Sequence, residues 1–182
     1  MGVLHIIGGV LLFSAPSLIA NGHGEALSWI IMIHMLCYMP TLALSNTVAF
    51  TNIDDRNKFP ALRVWGTIGW IVAGLIVGGL GMSSSPKIFT LGAVSGIVLG
   101  VLCFFMPKTP PPGKGKPVNL STLLMVDAFK MLYNVPFLIF IICSAMICVP
   151  LAYYFAYTSV YLPQIGFQAP ASTMALGQVS EI

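Results

Sequence analysis

Long apolar runs separated by short polar breaks set the pattern of this chain. Residues 3–20 form the first run, close to the roughly 20 apolar residues that cross a bilayer as a helix. No Lys or Arg precedes it, and Ser14, Ala15 and Pro16 interrupt it, so it does not read as a secretory signal. The turn NGHGE (21–25) leads to a second run, 26–50, with Pro40 well inside. Proline frees a backbone carbonyl and bends a helix, which membrane bundles accept where neighbours re-satisfy the group. A charged hairpin (Asp54, Asp55, Arg56, Lys58) precedes FPALRVWGTIGW (59–70), which opens a third helix running to about Met82. Ser83 to Pro86 turn the chain into a fourth run, 87–106.

The one long polar segment is 107–135, which begins PKTPPPGKGKP, a stiff and basic linker composition. Within it, 120–132 alternates at helical spacing and is expected to lie on a membrane surface. The fifth run, 136–162, is aromatic, and a sixth helix starts at Pro170 and is cut at Ile182 with no stop signal. The pattern predicts an all-α membrane protein with about five complete spans plus the start of a sixth. Residues 1–106 form the end of a first half-bundle, with four spans, 107–135 a central loop and 136–182 the start of a second half. The chain reads as cut at its end and, from its abrupt apolar start, at its beginning.

Within the spans a few polar groups stand out. Arg63, Thr67 and Trp70 fall at i, i+4 and i+7 on one helix face, with Gly66 and Gly69 between them. An arginine in a bilayer costs at least a few kcal/mol, so it faces a partner, a cavity or a substrate path, unless it snorkels to water from the helix end. His34, Tyr38, Thr41 and Ser45 share a face, with Asn46 beside it, and serve either interhelical hydrogen bonding or a polar cavity. Gly74-x-x-x-Gly78 is a close-packing motif, and Gly92, Gly96 and Gly100 are a smooth face for packing within the bundle. Among the rings near Pro150, some suit an interfacial belt, and Tyr157 is the candidate to line a cavity. Gln178 and Glu181 are i, i+3 neighbours in the last helix.

Composition supports the class: 57% of residues are hydrophobic and 7% charged, against about 25% charged in a soluble domain. The formal charge of +3 is small and scattered, which excludes a nucleic-acid partner of the usual kind. Four cysteines lie in apolar runs without a CxxC, so neither a disulfide framework nor a zinc site is indicated. Hydrolase, metalloprotease, dinucleotide and Walker motifs are absent from the sequence. No enzyme activity, cofactor or metal is therefore expected, and the lipid bilayer is the evident partner. Arg56, Lys58, Lys108, Lys114, Lys116 and Lys130 fall in loops on one side of the alternating spans, with only Lys87 on the other. The positive-inside rule makes the basic side, and the central loop, cytoplasmic. A carboxylic acid inside a membrane is the standard proton carrier of a symporter, since burial favours its neutral form and a nearby cation its ionised form. Arg63 and Glu181 come from opposite sides of the central loop, where two half-bundles would enclose a site.

CYMPTLALSNTVAF (37–50), FPALRVWGTIGWI (59–71) and GQVSEI (177–182) together resemble the nucleoside:proton symporters of the major facilitator superfamily, the bacterial nucleoside permeases. The resemblance runs through essentially the whole chain. It implies the third span through the start of the eighth of a twelve-helix inner-membrane transporter. Two spans would then precede Met1 and more than four would follow Ile182. It further implies that Arg63, Thr67 and Trp70 face the nucleoside, that Gln178 and Glu181 are a polar pair at the same site, and that Glu181 is tied to proton coupling and ribose binding. In the seventh span the family's permease carries amide side chains where this sequence has Ala152 and Phe155. Two other readings remain open: a proton symporter for another polar solute such as a sugar, and an inactive or structural membrane fragment.

Overall fold

A computed structural model of the chain describes residues 1–110 and 126–181, so the Pro-rich stretch and much of the expected surface helix at 120–132 lie outside the described residues. The first apolar run forms two helices, α1 (Gly2–Leu12) and α2 (Ala15–Ala20), with Pro16 in the first turn of α2. Pro16 offers no N–H, so the ladder breaks there. Ser14 Oγ donates to the Leu11 carbonyl at 2.7 Å, and Ser17 Oγ to the Ser14 carbonyl at 2.8 Å, as second bonds to carbonyls that also accept the Ser14 and Leu18 N–H groups.

Next come α3 (Gly24–Asn52), α4 (Phe59–Gly79), α5 (Lys87–Leu102), the short α6 (Val126–Lys130), α7 (Val135–Gln164) and α8 (Pro170–Gly177). No strand occurs among the described residues. Five helical segments, 2–20, 24–52, 56–79, 87–105 and 135–164, are long and apolar enough to cross a membrane, as the hydrophobic pattern predicts. Their outward faces carry Trp29, Leu36, Trp65, Phe140 and Ile147, all exposed, a surface that acyl chains cover at no cost in unpaired backbone groups. α3 continues through Pro40, and beside it the buried Thr41 donates its hydroxyl to the Tyr38 carbonyl at 2.6 Å. The ends of α2 and α4 share one solution. Gly22 and Gly81 adopt positive φ (71° and 63°), and the following N–H reaches back five residues, His23 to Leu18 at 3.0 Å and Met82 to Val77 at 2.9 Å.

Two compact units result: residues 1–109 with 169–182, and residues 110–168. In the first, α1 lies against both α3 and α5. Glycines set the α1–α5 distance: a methyl at Gly9 would stand 2.9 Å from the Ala93 carbonyl oxygen, and one at Gly100 would stand 2.9 Å from the Gly2 carbonyl oxygen. The stripe Gly92, Gly96, Gly100 thus packs inside the bundle, as expected. In the second unit Asn134 caps α7 by accepting the Phe137 N–H at 3.4 Å, and Tyr153 stacks on Tyr157 at 5.5 Å.

The first unit also holds a long-range pair, α4 with α8. A methyl at Gly74 would lie 2.6 Å from Ala175 Cβ, and one at Gly78 would overlap the Ser172 hydroxyl. Residue 74 thus meets 175 and residue 78 meets 172, so the two helices run antiparallel. One turn beyond Ala175, at 1.5–2 Å per residue, Gln178 comes level with Ile71, and Glu181 level with Thr67.

Three outcomes test this packing. Gly9→Val should lower Tm by several degrees, from an overpacking cost of about 1–3 kcal/mol. Gly79→Ala, where an added methyl meets open space, should leave Tm unchanged or slightly raised, alanine being about 1 kcal/mol the better helix former. With the native cysteines replaced by serine, an Ile71→Cys, Gln178→Cys pair should cross-link on mild oxidation. Adding Gly78→Leu, which drives α8 off α4, should abolish the cross-link.

Candidate functional site

The site begins at the hairpin before α4. Asp55 accepts the Asn57 N–H at 3.0 Å and caps the single 3-10 turn Arg56–Lys58. Phe50 at the end of α3 stacks on Phe59 at the start of α4, with ring centroids 4.2 Å apart. Pro60 then occupies the first turn of α4, where a missing N–H goes unnoticed. These contacts hold the lower halves of α3 and α4 apart at a fixed angle. Between them opens a cleft of about 500 Å³, lined by Ser45, Asn46, Phe59, Leu62, Arg63 and Gly66.

Arg63 is exposed, but on this cleft rather than on an all-apolar face. Ser45 and Asn46 form the opposite wall. The Ser45 hydroxyl already donates to the Leu42 carbonyl at 2.7 Å, so it offers the cleft chiefly an acceptor. The wall therefore adds an amide and a hydroxyl to the guanidinium, so the cleft offers both hydrogen-bond donors and acceptors. The polar stripe of α3 reaches a cavity at its Ser45–Asn46 end. Phe59 was not singled out by sequence; its only signal is an aromatic pair, Phe50 and Phe59, flanking a hairpin.

The face of α4 that bears Arg63, Thr67 and Trp70 continues, at helical spacing, into Gly74 and Gly78. That same face receives α8. Thr67 is half-buried, and Trp70 keeps half of its ring surface exposed. Gln178, half-buried, opens the 3-10 turn Gln178–Glu181 that lies against α4. Four of the sequence candidates, Arg63, Thr67, Trp70 and Gln178, thus share one helix pair, with the backbone of Glu181 beside them. Tyr157 belongs to the second unit, where its exposed ring stacks on Tyr153. Among the described residues no group of three or more His, Cys, Asp or Glu side chains suits a metal ion.

The arrangement offers an indole face for stacking a flat ring. A planar guanidinium fork and one amide can hydrogen-bond the edges of that ring or an attached polyol.

Comparison with known proteins bears on what the ring belongs to. The chain is 39% identical over 163 residues to YegT of Escherichia coli (strain K12), provisionally named a nucleoside transporter, covering 84% of this chain and 38% of that protein. It is 32% identical over 150 residues to the nucleoside permease NupG of the same organism, covering 80% and 35%. With the E. coli xanthosine permease it shares 28% identity over 148 residues, covering 79% and 35%. The chain therefore spans little more than a third of the length of these relatives. No solved structure matches it. The sequence model of the family described as "Nucleoside H+ symporter" matches residues 1–182, and the chain belongs to that family of membrane transporters.

Proposed function

We propose that this chain supplies part of a proton-coupled uptake system for nucleosides in the bacterial inner membrane, with its central segment cytoplasmic. One observation carries the reading: the α4 face with Arg63, Thr67 and Trp70 is the face on which α8 packs, bringing Gln178 alongside. A nucleoside has a flat base and a polyol sugar. Trp70 stacks the base, while Arg63 and Gln178 bond its edge or the ribose. Asn46, across the cleft from Arg63, is a further candidate to read a base edge. Glu181 is the group that takes and releases the proton. Its place in the turn after α8, level with Thr67, lies about one helical turn from Arg63. A guanidinium that favours the ionised carboxylate, and a solute that competes for the same guanidinium, couple proton release to solute binding. The names of NupG and xanthosine permease support a nucleoside rather than a sugar, since fold alone fixes neither.

Uptake of labelled uridine or adenosine by cells expressing the gene that carries this sequence tests the reading. Arg63→Lys keeps the charge and removes the planar fork, and should lower kcat/KM for uptake about 10–100-fold, the worth of a charge-assisted hydrogen bond. Unchanged uptake in this variant would sink the proposal. Glu181→Gln should abolish accumulation against a gradient and its response to a protonophore, yet leave downhill exchange of nucleoside measurable. Accumulation that persists in Glu181→Gln would remove the carboxyl from the coupling step.

A further inference from the structure

Six of the seven Ser, Thr and Asn side chains of α3 donate to a carbonyl of their own helix three or four residues back. The seventh, Asn46, makes no hydrogen bond among the described residues. It nevertheless lies inside a segment apolar enough to cross a membrane, where a carboxamide is costly until a partner meets it. An asparagine that served only to hold the bundle together would bond a neighbouring helix, as His34 does with the Gly8 carbonyl at 3.0 Å. Asn46 instead lines the α3–α4 cleft. On the other wall Arg63 likewise has no ion pair or hydrogen bond among the described residues.

Gly66 lines the same cleft, and a methyl added there meets nothing within 4 Å. It thus differs from Gly9, Gly74, Gly78 and Gly100, each of which stands against another helix. Arg63, Gly66 and Trp70 fall at i, i+3 and i+7 on α4, so the missing side chain opens a gap between the guanidinium and the indole. Leu42 and Ala49 of α3, with Phe59 and Leu62 of α4, give the cleft apolar walls. Apolar walls with a few convergent polar groups are the usual surroundings of a bound ring. A flat base therefore fits over Gly66, with its edge turned to Arg63 and Asn46. The sugar then lies on the α8 side of α4, by Thr67 and Gln178.

We propose that Asn46 is a specificity-determining residue of the nucleoside site, whose carboxamide bonds the base at the position opposite the sugar, C6 of a purine. The proposal rests on the nucleoside reading above and adds what the site selects: bases with a hydrogen-bonding group at that position. Arg63 can only donate, whereas the amide both donates and accepts. By turning over, the amide pairs with an oxo group beside N1–H or with an amino group beside a bare N1. A base with plain hydrogen at C6 leaves one half of the amide unpaired, and such a mismatch is what makes a polar site selective.

Uptake of labelled inosine, adenosine and purine riboside, which has hydrogen at C6, by cells expressing the gene that carries this sequence tests the proposal. Inosine and adenosine should each exceed purine riboside in kcat/KM by about 10-fold, the worth of one hydrogen bond whose loss strands its partner. Asn46→Leu, similar in size, should lower uptake of the first two about 10-fold and that of purine riboside by no more than about threefold. Thr47→Val, whose hydroxyl bonds the Ala43 carbonyl, should leave all three unchanged. Gly66→Leu, entering open space, should leave Tm unchanged and block uptake of all three. An equal loss for the three substrates in Asn46→Leu, as a purely structural residue would give, would overturn the proposal and leave the nucleoside reading standing. So would full uptake in Gly66→Leu, or no preference over purine riboside in the unaltered protein. An unaltered protein that takes up no nucleoside would remove the nucleoside reading and this proposal with it.

Discussion

Contact between helix backbones is the constraint on which this structure depends. Lipid chains are as apolar as leucine, so burial of apolar side chains does little to hold spans together, and close packing must do it. The chain meets that demand with glycine. Gly9 and Gly100 let α1 and α5 touch through backbone carbonyls, and Gly74 and Gly78 admit Ala175 and Ser172 of α8. Clefts open beside these seams, and glycines border them too: Gly8, Gly92 and Gly96 line the one between α1, α3 and α5, and Gly66 the one between α3 and α4.

The functional consequence is clearest on α4. Its lower turns bear Arg63, Thr67 and Trp70, and its upper turns bear Gly74 and Gly78 on the same stripe. Polar chemistry and close packing share one face, so the glycines act as a clamp whose position fixes the height at which Gln178 arrives. A seam set one turn differently would bring Gln178 level with Thr67 or Gly74 instead of Ile71. Arg63 also borders the α3 cleft through Phe59, Leu62 and Gly66. The guanidinium thus sits at the edge between two neighbours of α4.

Much of this is legible in the sequence because spans are local objects. Five apolar runs became five candidate spans, and Pro16 and Pro40 marked the two irregular places for the reason a missing N–H predicts. Only one of the two became a break. At Pro16 a new helix starts, whereas α3 runs on through Pro40 beside the bond from Thr41 to the Tyr38 carbonyl. The α4–α8 pair was not legible, since Gly74 and Ala175 are far apart in the chain and a small-residue motif does not name its partner. The polar stripe of α3 was visible as a stripe, but its division between two clefts depends on which helices lie against each half. The aromatic clamp of Phe50 and Phe59 carried no periodic signal at all.

That division gives α3 its place in the argument. His34 and Tyr38, before Pro40, look into the cleft with α1 and α5, whereas Ser45 and Asn46, after it, look into the cleft with α4. Thr41, nearly fully buried between the two sets, is held by the carbonyl of Tyr38 and separates the clefts. One helix thus presents imidazole and phenol rings to one pocket and an amide and a hydroxyl to another, because different helices lie against its two halves.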